Sequence, residues 1–369
     1  MKITKISLDR LRLMLDPPFR AAWDPVPRQH FDATVVRVHT DEGLVGVGSG
    51  DTMDGFEAFE SLFLGLDPTQ ISRHVRAIET INFHAGRFWP LEAALWDLIG
   101  QINGVPVSAL FGNFTSRIPA YMSTGELKGP MERIESALRG REEGFRAIKI
   151  RIARHDLAGG VEAVRGVRDA LGDDFHIMVD LNQSWRMAGD TDPALDNKTA
   201  THTVRRLEEL GVYWVEEPLP YTDLNGLAQL RATSTTRIAG GEMFPTFADA
   251  LLCLERDALD IYQMDVVLSL GMSRSRMVAE LAQHRNRQFT PHSWTNGIGV
   301  LANLHVSAGV GGAPYFEFPY DPDGWTARRR DFMLAEPVWI DAEGHVNVPQ
   351  SPGLGVSLDE DAIQRWKVQ

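Results

Sequence analysis

The sequence predicts an α/β protein: a (β/α)8-type barrel carrying an α+β capping domain built from the N-terminal third and the C-terminal tail. Three observations lead there. Eight short apolar runs alternate with amphipathic stretches through the middle of the chain, the signature of a parallel sheet wrapped by helices. The first third shows the two-residue alternation of an antiparallel hairpin instead. The last stretch returns to hairpin character but is too short to fold alone, so it is expected to pack back onto the first third.

The bulk properties are those of a globular enzyme. A length of 369 residues suits a barrel plus an accessory domain, and 43% hydrophobic with 24% charged residues argues against wholesale disorder. The formal net charge is −13 and no Lys/Arg-rich run occurs, which excludes a nucleic-acid binder. The single cysteine, Cys253, rules out an internal disulfide and a thiolate metal cluster. It sits among Leu251, Leu252 and Leu254, so it reads as a buried, inert thiol. Nothing resembles a signal peptide or a membrane span, so a cytoplasmic protein is expected, without nucleic-acid or membrane partners. Symmetric homo-oligomers are common among barrels of this size, and a homo-oligomer is expected on that ground alone.

In order along the chain, residues 1–115 read as the first part of the cap. Leu11, Leu13 and Leu15 alternate with polar residues in a strand. The runs 33–39 and 44–48 flank Thr40-Asp41-Glu42-Gly43 in a hairpin. Residues 17–28, rich in proline and aromatic side chains, read as a loop, and so do residues 48–52. A helix is expected over 91–102, where Leu91, Leu95, Leu98 and Ile102 share a face. Residues 116–320 hold the barrel, with strands expected at Ile118–Ser123, Ala147–Ile152, His176–Asn182, Val212–Glu217, Arg237–Glu242, Leu259–Asp265, Gln288–His292 and Pro314–Pro319. Residues 321–369 are the returning segment, with a hairpin expected across 337–348.

The functional signal lies in how the barrel runs end. In order the terminal residues are Lys149 and Arg151, Asp180 and Asn182, Glu216 and Glu217, Glu242, Asp265, His292 and Glu317. The C-terminal strand ends of such a barrel form its catalytic mouth, and burying unpaired charges there has no packing reason. Lys149 and Arg151 stand two apart and share a face, as do Asp180 and Asn182, which turns Ile148, Ile150, Val179 and Leu181 toward the helices. Asp180, Glu216 and Glu242 end three successive strands, about 4.8 Å apart. Carboxylates that close repel one another unless a cation holds them, and an all-oxygen set favours Mg2+ or Mn2+. The competing arrangement pairs these acids with Lys and Arg of neighbouring strands. Asp265 beside His292 would fix the imidazole tautomer and raise its basicity, making His292 a general base or acid. Glu317, if kept protonated in a low-dielectric mouth, would donate a hydrogen bond to a developing oxyanion, the competing reading being a salt bridge.

At these residues the chain resembles the enolase superfamily, in its mandelate racemase/muconate lactonizing enzyme-like branch. The likeness runs over essentially the whole chain. Ala94-Leu95-Trp96-Asp97-Leu98, Asn103-Gly104-Val105-Pro106 and Leu110-Phe111-Gly112 resemble the family's entry into the barrel. Lys149-Ile150-Arg151 resembles its basic motif, and Asp180-Leu181-Asn182, Val215-Glu216-Glu217-Pro218 and Ala239-Gly240-Gly241-Glu242 resemble its three metal-ligand motifs. Asp265, His292 and Glu317, and the closing Pro352-Gly353-Leu354-Gly355-Val356, complete the ordered set. The resemblance implies Mg2+ on Asp180, Glu216 and Glu242, with a small-molecule carboxylate substrate at the metal and Lys149 assisting. One position departs from the pattern: the family's racemases commonly carry a second lysine as base where this chain has Arg151, a poor proton acceptor. Like-charge repulsion from Arg151 is expected to lower the pKa of Lys149.

Racemisation needs a base on each face of the α-carbon, whereas a single histidine can take the α-proton and return it to a departing hydroxyl; alternatively, Arg151 or Lys149 takes the proton and His292 serves as acid. The expectation is therefore dehydration of a sugar acid, an aldonate or an aldarate, to a 2-keto-3-deoxy acid. A racemase or epimerase of a hydroxy or amino acid is the alternative, and a catalytically silent binding protein on the same scaffold a third reading. Arg151 could instead grip a distal carboxylate. Loops 17–28 and 49–55 are expected to close over the mouth, with Phe19, Arg20, Trp23 and Asp51 as specificity candidates and Trp294 shaping the pocket.

Overall fold

Buried residues recur along the first strand, β1 (Ile3–Phe19), at Ile3, Ile6, Leu11, Leu15 and Phe19. β1 pairs antiparallel with β2 (Arg28–Thr40), Leu11 opposite Ala33, and β2 pairs with β3 (Val45–Gly48). The strand runs further than its alternation predicts and takes in Pro17 and Pro18. Proline is tolerated there because β1 is an edge strand, and the register shifts between Met14 and Phe19. Only residues 20–27 remain as the connecting loop. The computed structural model describes residues 1–368.

Two helices lie behind this sheet, α1 (Ile71–His84) and α2 (Trp89–Asn103). α2 is almost wholly buried and β3 rests directly on it. A Cβ at Gly46 or Gly48 would lie 2.1 Å from the carbonyl oxygen of Ala94 or Pro90, so glycine is required for the sheet to approach so closely. Asp97 of α2 accepts hydrogen bonds from the backbone of Val47 (2.9 Å) and Leu354 (2.7 Å), joining cap, helix and tail. A short helix, α3 (Val107–Leu110), leads into the barrel.

The barrel strands are β4 (Arg117–Ser123), β5 (Ala147–Arg151), β6 (His176–Asp180), β7 (Trp214–Glu216), β8 (Arg237–Gly240), β9 (Ile261–Tyr262), β10 (Gln288–Phe289) and β11 (Phe316–Pro319). They are parallel and adjacent in chain order from β4 to β10, with β11 returning beside β4. Side chains bridge the remaining seam between β10 and β11: Ser293 donates its N–H to Glu317 Oε2 (2.6 Å) and its hydroxyl to the Glu317 carbonyl (2.6 Å). The wrapping helices are α4 (Pro130–Glu142), α5 (Leu157–Leu171), α6 (Asn197–Glu208), α7 (Leu224–Thr233), α8 (Phe247–Glu255), α9 (Gly271–His284) and α10 (Gly297–Val310). Asp156, Asp196, Asp223, Thr246 and Asn296 cap five of them by accepting first-turn N–H groups.

Alternation divides the strands as expected. Ile148, Ile150, Val179, Leu181 and Val215 join the core between strands and helices. The inward residues of the lower layer, Tyr121, Ala147, Met178, Trp214, Ala239 and Ile261, form an apolar plug. Two residues further on, the inward positions of β5, β6 and β7 are Lys149, Asp180 and Glu216. Cys253 is buried on α8, and burial pushes its thiol up to about 12.

After β11 come α11 (Ala327–Arg330), β12 (His345–Asn347) and α12 (Glu360–Trp366). The hairpin expected across 337–348 reduces to a single bridge, Ile340 to Val346. β12 instead pairs antiparallel with β4, Val346 opposite Ile118, so the tail first borders the barrel. It then reaches the cap sheet, where Ile363 packs with Leu11 and Val35 and Lys367 bonds Asp9 at 2.6 Å.

Candidate active site

Asp180 and Glu216 end their strands, and Glu242 lies just beyond β8. Each of the three offers an oxygen, and these lie within 4.8 Å of one another in full burial. The donor set is all carboxylate oxygen, and Glu242 Oε2 is buried with no hydrogen-bond partner. A hard divalent cation would satisfy both features. Burial pushes the Glu216 and Glu242 carboxyls up, and the repulsion of neighbouring carboxylates adds to it.

Other side chains fix these acids. Asp180 Oδ1 accepts from the Asn182 N–H (2.8 Å), and its Oδ2 accepts from Arg151 and from Asn182 Nδ2. Glu216 Oε1 accepts from Lys149 (2.6 Å), while its Oε2 accepts from Trp214 Nε1 (3.1 Å) and Gln263 Nε2 (2.8 Å). Glu242 Oε1 accepts from Trp185 Nε1 at 2.7 Å. The pairing alternative therefore holds in part: Lys149 and Arg151 do bond two of the acids, and Glu242 stays free of them. Glu217 is buried beside the three, outside their cluster, with both carboxylate oxygens unpartnered; burial and the negative charges of Glu242 and Asp180 push it well up.

Two expectations need correction. Lys149 Nζ lies 2.6 Å from Glu216, 2.7 Å from Glu317 and 3.6 Å from Asp180. Burial works against its charge, but these carboxylates outweigh both burial and Arg151, so its pKa is raised, not lowered. Glu317 is not a protonated donor. Burial favours the neutral form, yet Lys149, His292 and Arg151 hold its carboxyl down at about 2. It accepts from Lys149, Ser123 Oγ (2.7 Å) and the Ser293 N–H. Its place in the molecule is to anchor Lys149 and close the seam.

Arg151 is equally committed. It donates to Asp180, to Asn182 Oδ1 (3.1 Å) and, through Nε, to the Thr124 carbonyl (3.0 Å). Its guanidinium lies 4.6 Å from the Trp23 ring centre and 5.8 Å from that of Trp294. Opposite stands the dyad. His292 Nδ1 is 2.9 Å from Asp265 Oδ2, and its Nε2 is 3.7 Å from Glu242 Oε2. Asp265 Oδ1 accepts from the backbone of Val267 and Leu268 and from Asn303, which fixes its direction. Burial disfavours the imidazolium, but Glu242, Glu317 and Asp265 together raise His292 to about 9.

Above this floor opens a cavity of about 880 Å3, lined by Trp23, Asp51, Arg151, Glu242, His292 and Trp294 among others. Arg20 and Asn182 line a neighbouring cavity of about 550 Å3, which shares Trp23 and Trp185 with the first. Phe19 is buried and stacks on Trp294 instead of reaching the cavity. Sequence reasoning missed Arg87, Trp185 and Arg186. Arg87 sits in the turn between α1 and α2, bonds the Leu268 carbonyl at 2.7 Å and lies 3.3 Å from Asp51. No periodicity marks it. Trp185 and Arg186 follow Asp180-Leu181-Asn182 directly, and that proximity was the available signal.

The fold and the site define a capped (β/α)8 barrel whose mouth is furnished with three clustered carboxylates and an Asp–His pair. Residues 132–362 match the family described as Enolase C-terminal domain-like. The chain belongs to the enolase superfamily, among its mandelate racemase-like members. It is 29% identical to L-talarate/galactarate dehydratase of Salmonella typhimurium over 90% of this chain and 81% of that protein. It is 30% identical to 3,6-anhydro-alpha-L-galactonate cycloisomerase of Streptomyces coelicolor over 92% of each. A racemase of Streptomyces coelicolor solved with bound magnesium superposes with a TM-score of 0.83 at 28% identity, covering 99% of this chain and 100% of that one. No described helix is long and apolar enough to cross a membrane.

Proposed function

We propose that this protein is a Mg2+-dependent sugar-acid dehydratase, converting a 2,3-dihydroxy acid to a 2-keto-3-deoxy acid, with residues 116–320 as the catalytic barrel and 1–115 plus 321–369 as its cap. Asp180, Glu216 and Glu242 would hold the cation, and Mn2+ suits the same ligands. When bound, the ion supplies Lewis-acid stabilisation of the charge that develops on the substrate carboxylate.

One observation carries the choice of dehydration: a single side chain at the mouth is placed as a proton acceptor. His292 is backed by Asp265 at 2.9 Å, and a cation on Glu242 would offset the foremost of the negative charges that raise its pKa, freeing Nε2 to accept a proton, whereas Lys149 keeps its ion pair with Glu317 at 2.7 Å and Arg151 keeps its proton at any working pH. His292 Nε2 takes the proton from C2. The C–H electron pair becomes the C2–C3 double bond, the C3–O bond breaks, and the same proton returns to the departing hydroxyl to release water. The enol left behind tautomerises to the 2-keto acid. Lys149 and Arg151 contribute fixed positive charge, and Trp23 and Trp294 screen that region from water. Asp51 and Arg87, lining the cavity from the cap side, are placed to meet the hydroxylated chain.

The relatives act on galactarate, talarate and an anhydrogalactonate by name, and such polyhydroxy acids fit the polar lining. Among the cavity-lining arginines, Arg186 favours an aldarate. Arg28 pairs with Asp24, Arg151 with Asp180 and Arg87 with Asp51, while Arg186 Nη1 donates to the Asn182 (3.1 Å) and Trp185 (2.9 Å) carbonyls and its Nε has Asp190 only at 3.7 Å, an acid that already bonds Arg154, which leaves Nη2 for a ligand. Its spare donors suit a distal carboxylate. The test is a screen of aldonic and aldaric acids with Mg2+, detecting 2-keto acids with semicarbazide. Turnover that His292→Asn abolishes is the expected result. Silence across the set, with solvent deuterium entering the α-carbon of hydroxy or amino acids, would replace dehydration by racemisation or epimerisation.

A further inference from the structure

The three clustered carboxylates are not held alike. Lys149, Arg151, Trp214 and Gln263, all on the barrel strands or just beyond them, together with the Asn182 N–H, fix Asp180 and Glu216. Glu242 has one hydrogen-bond donor, the Trp185 indole N–H at 2.7 Å, and its second oxygen has none. Trp185 belongs to the connection between β6 and α6, residues 181–196. On that same connection Arg186, Met187 and Ala188 line the 880 Å3 cavity, and Trp185 itself lines both cavities. The connection is pinned at its far side by Arg154 to Asp190 and at its ends by Gln183 Oε1, which accepts from the Leu195 N–H at 3.0 Å.

We infer that Trp185 is a positioning residue that couples the metal site to the 181–196 connection. By occupying Oε1 of Glu242 it leaves Oε2 as the ligand oxygen, and that bond adds to the ties at Asp190 and Gln183 a tether from the substrate-facing stretch at Arg186–Ala188 to the metal site. Linkage makes the effect reciprocal: if the Trp185 bond tightens metal binding by some factor, metal binding favours this loop arrangement by the same factor. The inference rests on the metal assignment above but not on the reaction assigned.

The test uses the full chain without substrate. Isothermal titration with Mg2+ and with Mn2+ compares wild type with Trp185→Phe, which keeps the ring and removes the N–H donor. Losing such a support weakens affinity by about 10- to 100-fold, and at least tenfold is expected here. In parallel, hydrogen–deuterium exchange of the wild type with and without Mg2+ should show slowed exchange across 183–196, and Trp185→Phe should abolish that slowing while the strands around Asp180 and Glu216 keep theirs. Equal affinities, or a loop whose exchange ignores bound metal, would overturn the inference. The exchange measurement on wild type decides the matter should the variant fail to fold. Absence of Mg2+ binding to the wild type would overturn the metal assignment and this inference with it, whereas binding without any dehydratase activity would leave this inference standing.

Discussion

Replacing His292 by Asn tests the assignment of a single base. Asn retains an amide able to donate toward Asp265 and removes the only nitrogen placed to accept a carbon-bound proton. A positioned general base contributes about 10²- to 10⁴-fold, which is about 3 to 5 kcal/mol of barrier. The structure places the loss at the upper end, because no neighbour can substitute. Lys149 has carboxylate oxygens at 2.6, 2.7 and 3.6 Å and is held protonated, and Arg151 is fastened to Asp180, Asn182 and Thr124. Two readouts on one sample make the prediction sharp: formation of 2-keto acid, and incorporation of solvent deuterium at C2 of unreacted substrate. Both should fall about 10⁴-fold, with Mg2+ affinity unchanged by titration calorimetry. Exchange that survives within tenfold of wild type while elimination disappears would refute the reasoning, because it would put the base on the opposite face, at Lys149 or Arg151, and reduce His292 to the acid.

Three further outcomes follow from the geometry. Arg186→Met should lower kcat/KM for aldarates about 10- to 100-fold, the loss of a charge-assisted pair, and leave aldonates within threefold; equal losses for both would remove Arg186 from distal recognition. Mg2+ at about 100 times its dissociation constant should stabilise the fold by about 2.7 kcal/mol, read as a rise in Tm that EDTA reverses, and an unchanged Tm would count against the carboxylate cluster as a cation site. Asp321 is buried, bonds Lys128 at 2.7 Å and accepts from the backbone of Gly125 and Glu126; burial opposes its charge, but Arg133 and Lys128 lower its pKa all the same. Asp321→Asn should therefore destabilise by about 3 to 5 kcal/mol. Because the folded-state pKa lies below the unfolded value, this stabilisation is complete above the ordinary carboxylate range and is lost as pH falls through the folded value. Denaturant titrations should show wild type and variant converging in acid, and a constant gap down to pH 3 would refute the assignment.

How much of this was legible depended on whether strand alternation reached the residue. Lys149, Arg151, Asp180 and Glu216 lie inside hydrogen-bonded strands, and the two-residue period put them on the inward face without further help. Glu242, Asp265 and His292 lie beyond their short strands, where period carries no information; their order along the chain and the family resemblance found them. The charge states of Lys149 and Glu317 were misread for a common reason. β5 and β11 flank β4, and their inward tips meet across it at 2.7 Å, a contact between residues far apart in sequence. Seen singly, a lysine beside an arginine should lose its proton and a buried glutamate should gain one. Seen together, each supplies the charge the other needs. Arg87, Trp185 and Arg186 escaped because connections carry no periodic signal, and the tail's pairing with β4 was hidden because β12 is only three residues long.

Arg151 makes the two sides of the mouth chemically unequal. A lysine at this inward position could present a titratable amine to one face of the α-carbon. The guanidinium instead spreads its donors over Asp180, Asn182 and the Thr124 carbonyl, and its flat face lies under Trp23, which the cap loop supplies. An ammonium would have to serve those acceptors from one nitrogen, whereas Arg151 uses two, and it would lose the planar stacking. Arg151 is therefore held from both halves of the molecule. The barrel provides the acceptors, and the cap provides an aromatic lid, itself edge-on to Trp294 at 4.8 Å, that seals the fork in place. Under the proposed dehydration that face would supply permanent positive charge and His292 the proton traffic, and a reaction that uses one acceptor twice would suit such an asymmetric mouth.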